Sequence, residues 1–545
     1  MQENPRTSDR TILVPALLVS LSLAAMGLFF FAFYHDLFPL GIPGEWQWFT
    51  PDAWSLPMAE WPVFLLAGAV ALLLIGWAAW SAGWVDSWSR GRFVATIGLC
   101  IALGAIFQYA CEVACPDGLQ KWAMLQSYAA NGFYAPARLY ADDLPTFLAN
   151  HADLIRDHHP HHLSVNPPGW VVVYGATMHF FADHAGLVDM VGVCTPEEMR
   201  WRLRRMNGTR GVPLNEQATI AAVAILSRAI CFLGAVPVAW LAAVRWGRRA
   251  SLAAASAALL VPVDPLFAPR CDTIYPTIAL TVLALSHAAW DRRSWAAAAL
   301  AGALLGIGTF FSMCFFSIGG LAILYIACRS FTGKRPTLAC MAAAPLGWLA
   351  VVGLIYLAGH NSWATWSVNL AKNLEFNQLY RQSYGRWTVV NLLEFGWAIG
   401  LPVVIFLAGR LAVLRQFDPL LCAWGAMLAL LDLAGANRGE SCRLWIFMMP
   451  IGTMLAVEWL PHLGRWFRPT LAAFLALQCS YCVLLDRNLL LLTDLEPSRA
   501  FNESGLSNID MSQREFKAPR SAVEMLQPQT DPPDATDGET APKEP

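Results

Sequence analysis

The sequence is poor in charged residues. Asp, Glu, Lys and Arg make up 14% of its 545 residues, whereas a water-soluble domain carries about 25%. Positive charge is not in excess, since 37 Lys and Arg face 39 Asp and Glu, for a formal net charge of −2. The low share of charged residues excludes an ordinary soluble protein. The absence of an excess of positive charge disfavours nucleic acid as a partner.

The sequence also lacks the paired CxxC motifs of a zinc site, although it has 13 cysteines. Most of them lie inside apolar runs, where cysteine is typical of a small buried hydrophobic residue. Neither a structural zinc site nor a disulfide framework is predicted.

Apolar residues are abundant instead, at 56%, and 24 of the residues are tryptophan. Tryptophan favours the headgroup zone of a bilayer. Runs long enough to cross a bilayer number about 13, at about 20 apolar residues each. The clearest early runs are 12–34, 62–84, 93–112 and 218–244. The prediction is an all-α polytopic bundle of transmembrane helices, with extracytoplasmic loops that carry juxtamembrane helices.

Basic residues cluster in alternate loops between these runs. Examples are residues 89–92, 245–249 and 291–293. Lys and Arg accumulate in cytoplasmic loops of membrane proteins. The pattern predicts a multi-pass protein of a membrane such as the bacterial inner (plasma) membrane, with a cytoplasmic N-terminus and an extracytoplasmic C-terminal tail.

The order of runs and loops divides the chain into three parts. Residues 1–92 form a two-span N-terminal extension. Residues 93–492 form the membrane core, with outer loops at 113–216 and 360–387. Residues 493–545 form a polar tail, rich in proline and acid, which we expect to be disordered.

Ionisable residues collect at the predicted outer ends of the spans and in the outer loops. A proton-coupled transporter more often places carboxylates near the bilayer centre. The distribution therefore favours chemistry at the outer membrane interface.

A distinctive segment, His-His-Leu-Ser-Val-Asn-Pro-Pro-Gly-Trp, occupies residues 161–170. Its two prolines fix the chain before a helix, and the apolar stretch 171–181 that follows is too short to span a bilayer. We expect this stretch to lie at the interface. A structural helix start with a solvated His-rich loop, or metal binding by the histidines, are alternatives.

These features resemble the GT-C class of glycosyltransferases, integral membrane enzymes that use polyprenyl-phosphate-linked sugars. Residues 162–169 resemble the class segment H-x-x-x-(H/N)-P-P-(G/L), with Asn166 in the usual His position. Residues 438–445 resemble a G-E-x-x-R-x-W segment. Shorter resemblances lie at 227–228, 262–272 and 381–387.

The resemblance implies transfer of a hexosyl or pentosyl group from a polyprenyl-phosphate donor to an extracytoplasmic glycan, lipid or protein. In the class, an acid of the first outer loop acts as general base, and Asp117 matches that position. Glu112, Asp142 and Asp143 are further candidates for substrate binding. Some class members use a divalent cation such as Mg²⁺ or Mn²⁺; no metal ligand is assigned here, and no cofactor is expected to be required.

A departing polyprenyl phosphate needs cationic hydrogen-bond donors. Arg443, Arg386 and Arg228 are the candidates, and we expect Arg228 to pair with Asp264 or Asp272. Further substrate-binding candidates are His162, Asn166, Asp272, Tyr384 and Glu440. Arginines that only anchor helix ends in the headgroup zone are the alternative for the cationic residues.

Two other functions remain open. A polytopic transporter or lipid flippase would have broken spans with charges near the bilayer centre, and a scaffold would use its loops only to bind partners. The enzyme hypothesis expects the distant acids and arginines to gather beneath the outer leaflet.

Overall fold

The computed structural model describes residues 5–35, 37, 40–43, 46–48, 61–115, 118–127, 133–156, 163–205, 212–331, 337–379, 382–414 and 416–489. Asp117, His162 and the tail 493–545 lie outside the described residues, so the predictions for them stay predictions.

The fold is all-α, as predicted, with one short hairpin. Strands β1 (Gly41–Ile42) and β2 (Trp46–Gln47) pair antiparallel. The helices are α1 (Pro5–Tyr34), α2 (Trp61–Ala82), α3 (Arg90–Ala114), α4 (Gln120–Ser127), α5 (Tyr134–Tyr140), α6 (Leu144–Arg156), α7 (Gly169–Ala182), α8 (Ala185–Cys194), α9 (Glu197–Arg205), α10 (Leu214–Leu233), α11 (Ala235–Trp246), α12 (Arg248–Ala258), α13 (Val263–Phe267), α14 (Tyr275–Arg292), α15 (Trp295–Phe311), α16 (Cys314–Ser330), α17 (Leu338–Leu357), α18 (Ser362–Leu379), α19 (Tyr384–Ile399), α20 (Leu401–Val413), α21 (Pro419–Ala434), α22 (Ser441–Leu444), α23 (Met449–Val457) and α24 (Phe467–Asn488).

Seven helical stretches of the described residues are long and apolar enough to cross a bilayer, or eight if α19 and α20, which meet at 101°, form one span. Other predicted runs fold as shorter apolar helices, such as α15 and α16, which have 17 residues each. Such a helix is about 26 Å long at 1.5 Å per residue, less than the bilayer core of about 30 Å. The predicted polytopic helix bundle is therefore confirmed. Fewer of its helices than the expected number, about 13, are long enough to cross a bilayer.

Small residues let α15 and α17 pack closely. A Cβ atom at Gly302 would meet the backbone of Ala344, and one at Gly347 would meet the backbone of Ala299. Close backbone approach at glycine and alanine is the usual way in which helices associate in lipid, where no hydrophobic effect draws them together.

The predicted N-terminal extension packs on the core. α1 lies against α20 and α24, and α2 lies against α3 and α24. Phe29 of α1 stacks near Trp397 of α19, with ring centroids 6.5 Å apart. The extension thus contributes to the helix bundle directly.

Charged residues meet at two opposite ends of the bundle. At one end, which holds the predicted inner loops, Arg245 Nη2 lies 2.9 Å from Asp418 Oδ1, and Arg410 Nε lies 2.6 Å from Glu458 Oε1. At that same end Arg329 Nη2 lies 2.7 Å from Asp291 Oδ1. The opposite end carries the N-terminus of α7 and the residues of the predicted outer loops, and we call it the α7 end.

Candidate functional site

At the α7 end, acids and arginines from distant parts of the chain come into contact. Arg443 Nη1 donates to Asp272 Oδ2 at 3.1 Å, and Arg443 Nη2 donates to Glu440. Arg270 Nε lies 3.8 Å from Asp272 Oδ2. These four residues, Arg270, Asp272, Glu440 and Arg443, are called the Arg443 cluster below.

Two chain segments build the Arg443 cluster. One is the turn between α13 and α14, where Cys271–Ile274 form a short 3-10 helix that carries Asp272. The other is the loop before α22, in which Gly439 and Glu440 both adopt positive φ, 83° and 52°. A left-handed conformation is uncommon for a glutamate and needs support from its surroundings.

Helix α19 supplies that support. Asn391 Oδ1 accepts a hydrogen bond from the Gly439 backbone N–H at 3.2 Å, and Asn391 Nδ2 donates to the Asn437 carbonyl oxygen at 3.0 Å. Ser441 Oγ donates to the Asn391 carbonyl oxygen at 2.9 Å. The loop is therefore fixed at both sides of Glu440, which holds the carboxylate beside Arg443.

The carboxylates are more accessible than the guanidinium. The side chains of Asp272 and Glu440 are 16% and 27% exposed, against 10% for Arg443. Burial alone would raise the pKa of Glu440, but Arg443 and Arg270 hold it below its usual value. Burial, together with the neighbouring Arg443, lowers the pKa of Arg270 to about 10, although Asp272 opposes this. Both arginines are therefore cationic at neutral pH.

The described part of the predicted helix entry, residues 163–170, lies near this turn. Trp170, in the first turn of α7, donates through Nε1 to the hydroxyl of Tyr275 at 3.0 Å. Tyr275 begins α14, immediately after the turn that carries Asp272. From the other side, Asn369 Nδ2 of α18 donates to the carbonyl oxygens of Ser164 and Asn166, at 2.7 and 3.3 Å. The segment is thus held between α14 and α18.

Arg228 and Glu112 have different surroundings from those expected. Arg228 Nη2 lies 2.5 Å from Glu112 Oε1, with both side chains buried. Arg228 also donates to Gln108 Oε1 at 2.9 Å, and Trp122 Nε1 donates to Glu112 Oε2 at 2.6 Å. The ion-pair partner of Arg228 is therefore Glu112, which corrects the expected Asp264 or Asp272. Both side chains are paired inside the bundle, and their proposed roles in binding a substrate stay predictions.

Four other candidates are placed at helix ends of the α7 end. Tyr384 donates to the Leu433 carbonyl oxygen at 2.8 Å and lies beneath the Arg438 guanidinium. Asp143 Oδ1 accepts from the Thr146 backbone N–H at 3.1 Å at the start of α6. Asp142 and Arg386 are exposed. The contacts of Tyr384 and Asp143 stabilise local structure.

The described residues do not fit a divalent cation. Among them no group of three or more His, Cys, Asp or Glu side chains could hold a metal ion. The two acids of the Arg443 cluster both accept hydrogen bonds from Arg443. The Arg443 guanidinium occupies the position that a metal cation would take between them, so the cluster does not fit a metal ion.

The sequence did not single out Arg270 as a site residue. It lies in the 262–272 turn that the resemblance pointed to, two residues before Asp272. An arginine two residues before a candidate acid in that turn was the signal that could have identified it.

No family model matches the sequence, and no curated protein sequence matches it. Among solved structures, the chain is similar to the oligosaccharyltransferase of Archaeoglobus fulgidus in its apo form, with a TM-score of 0.45 and 12% identity over 82% of this chain and 62% of that one. The same archaeal protein in complex with Zn and sulfate gives a TM-score of 0.42 and 13% identity, over 82% and 59% of the two chains. The chain thus spans less than two thirds of the length of these structures. A similarity this distant does not establish an activity.

Proposed function

We propose that the protein is a membrane glycosyltransferase of the GT-C type, which transfers one sugar from a polyprenyl-phosphate donor to an extracytoplasmic acceptor. The Arg443 cluster is the observation that carries this proposal. It unites, at the α7 end, two segments that resemble those of the class, the turn at 262–272 and the loop at 438–445.

Arg443 is suited to bind the phosphate of the donor. Its guanidinium is held by Asp272 and Glu440, and a planar guanidinium fork can donate two parallel hydrogen bonds to phosphate oxygens. Arg270 adds a second positive charge beside it. When the sugar leaves the phosphate, these cations stabilise the negative charge that develops on the phosphate oxygens.

Asp117 is the proposed general base. In the sequence it lies three residues after Ala114, the last residue of α3. The Asp117 carboxylate accepts the proton of the acceptor hydroxyl. At the same time the oxygen of that hydroxyl forms a bond to the anomeric carbon of the sugar, and the bond between this carbon and the phosphate oxygen breaks. The products are the glycosylated acceptor and the free polyprenyl phosphate.

Proteoliposomes that contain the purified protein test this proposal. They receive radiolabelled polyprenyl-phosphate sugars and extracytoplasmic acceptors of each class. Arg443→Gln and Asp117→Asn are expected to lower transfer at least about a hundredfold, since each removes a group that acts in the transition state. Arg204→Gln and Asp189→Asn are the matched controls, because both positions are exposed on α9 and α8.

The outcomes separate the parts of the proposal. If wild type transfers sugar and Asp117→Asn does so equally, Asp117 is not the base. If Arg443→Gln transfers as well as wild type, the Arg443 cluster is not the phosphate site. If wild type transfers no sugar from any donor to any acceptor, the assignment to glycosyltransferases fails.

A transporter or lipid flippase is the second candidate, and one observation favours it. α19 and α20 meet at 101° at Gly400, and buried Glu394 lies six residues before this break. Broken helices with a buried charge are typical of transporters. Movement of a fluorescent polyprenyl-phosphate sugar across the proteoliposome bilayer, without any transfer of sugar, would support this function.

A further inference from the structure

A side chain from the N-terminal extension contacts α19, the helix that holds the loop of the Arg443 cluster in place. Trp48 Nε1 donates a hydrogen bond to Glu394 Oε1 at 2.9 Å, across 346 residues of sequence. Both side chains are buried, with residue exposures of 8% for Trp48 and 3% for Glu394. The contact joins the loop between α1 and α2 to the middle of α19.

The position of Trp48 is fixed by packing on three sides. Its indole meets the rings of Phe267 in α13 and Trp397 in α19 edge to face, with centroids 5.8 and 5.9 Å away. Its backbone N–H donates to the Leu40 carbonyl oxygen at 2.8 Å, which extends the β1 and β2 hairpin by one bond. The indole N–H therefore points at Glu394 from a fixed place.

Glu394 transmits this contact to the loop that carries Glu440. Its second oxygen, Oε2, accepts from the backbone N–H of Ser441 at 3.3 Å and lies 3.1 Å from the Ser441 hydroxyl, whose one proton it shares with the Asn391 carbonyl oxygen. Ser441 lies between Glu440 and Arg443. One carboxylate of α19 thus binds the extension through one oxygen and the site loop through the other.

We infer that Trp48 is a positioning residue for the Arg443 cluster and acts through Glu394 and Ser441. The inference rests on the proposed function for its effect on catalysis, although its effect on the loop is independent of it. Without the indole N–H, the buried carboxylate of Glu394 keeps only its hydrogen bonds to Ser441 and Cys442, and a buried carboxylate that loses a donor is driven to reorient. Reorientation breaks the bonds to Ser441 and loosens the residues that hold Arg443.

Hydrogen exchange of wild type and Trp48→Phe in nanodiscs tests the inference. The substitution keeps an aromatic ring at position 48, and it removes the N–H donor and part of the ring volume. Amides of residues 439–444 are expected to exchange about tenfold faster in the variant, as the loss of a hydrogen bond to a charged group implies. Amides of α15 and α17 serve as the internal reference. Trp363→Phe is the matched control, because Trp363 is 60% exposed and packs among Trp348 and Trp366.

Kinetics give a second readout that a purely structural role would not move. In Trp48→Phe the kcat of sugar transfer is expected to fall about tenfold while the KM for the acceptor is unchanged, because Arg443 acts on the leaving phosphate. Glu394→Gln retains the volume of Glu394 and covers the case in which Trp48→Phe fails to fold. It is expected to loosen the same amides, and the double variant should be no worse than the more affected single variant.

Unchanged exchange at 439–444 in both Trp48→Phe and Glu394→Gln would overturn the inference. Equal loosening in Trp363→Phe would also overturn it, because the effect would then not be specific to Trp48. If wild type shows no sugar transfer, the proposed function fails, and the exchange measurement still decides whether Trp48 positions the loop.

Discussion

Arg443 Nη1 lies 3.1 Å from Asp272 Oδ2, although 171 residues separate them along the chain. The contact depends on the packing of α14 against the turn 446–448 that follows α22. It brings the two segments of the candidate site to one end of the bundle, and it places the Arg443 guanidinium between the carboxylates of Asp272 and Glu440.

Glu440→Gln should lower stability in a pH-dependent way. Because the folded state holds the pKa of Glu440 below its ordinary value of 4.5, the ionised carboxylate contributes stability above that value, and the contribution is lost as pH falls through the lowered pKa. The melting temperature of the variant should therefore lie below that of wild type at pH 7. The difference should persist down to pH 4.5 and shrink only as the pH falls below that value, as measured by tryptophan fluorescence in detergent. A difference that stays constant with pH would contradict the ion pair as its source.

Breaking the buried pair of Glu112 and Arg228 should be strongly destabilising. Arg228→Met leaves the Glu112 carboxylate buried beside Trp122 and without its cation. The expected loss is about 3–5 kcal/mol. The double variant Glu112→Gln with Arg228→Met should recover part of it, since no charge then remains unpaired. Thermal unfolding in detergent measures both, and a double variant less stable than either single variant would argue against direct pairing.

Asp264→Asn should remove a decline of stability with pH. Burial raises the pKa of Asp264 from 3.8 to about 7, with Arg228 opposing and Glu112 reinforcing the shift. When the pKa is raised in the folded state, the contribution to stability is complete below the pKa of the unfolded chain, 3.8. That contribution is lost as the pH rises through the folded-state pKa of about 7. Relative to wild type, Asp264→Asn should therefore melt higher at pH 8 than at pH 5. Asp189→Asn, at an exposed position, should show no such dependence.

Cys194 offers a test of orientation. It is the one exposed cysteine of the thirteen, and the other twelve are buried or half-buried. Since residues 113–216, which include Cys194, are predicted to form an extracytoplasmic loop, a membrane-impermeant maleimide should label intact cells that express the wild type. Cys194→Ser should abolish the signal while expression, measured by immunoblot, is unchanged. Labelling only after the membrane is permeabilised would reverse the predicted topology.

The sequence predicted the helical bundle because length and apolarity of a run are local properties. It also predicted that residues 245–249 and 291–293 share an end, because the alternation of basic loops places them on one side. Arg245 and Asp291 both lie at the end opposite α7. The short helix after residues 161–170 followed from its prolines and its length, and it is α7.

The sequence did not predict which charged side chains pair with each other, because pairing depends on how the helices are rotated against one another. Several acids were predicted at about the same depth in the membrane as Arg228, so the sequence could not select its partner. The packing of α10 beside α3 places Glu112 Oε1 2.5 Å from Arg228 Nη2. Hydropathy likewise gave the number of apolar runs but could not show that α15 and α16 end after 17 residues.

The pattern of apolar runs and flanking charges was thus enough to determine an all-α membrane protein whose polar residues collect at two ends. Only the tertiary structure decided that Arg443 pairs with Asp272 and that Trp48 supports Glu394. The physical reason is that burial in lipid acts on each segment separately, whereas a hydrogen bond needs two groups within about 3 Å, and that distance depends on the packing of the whole bundle.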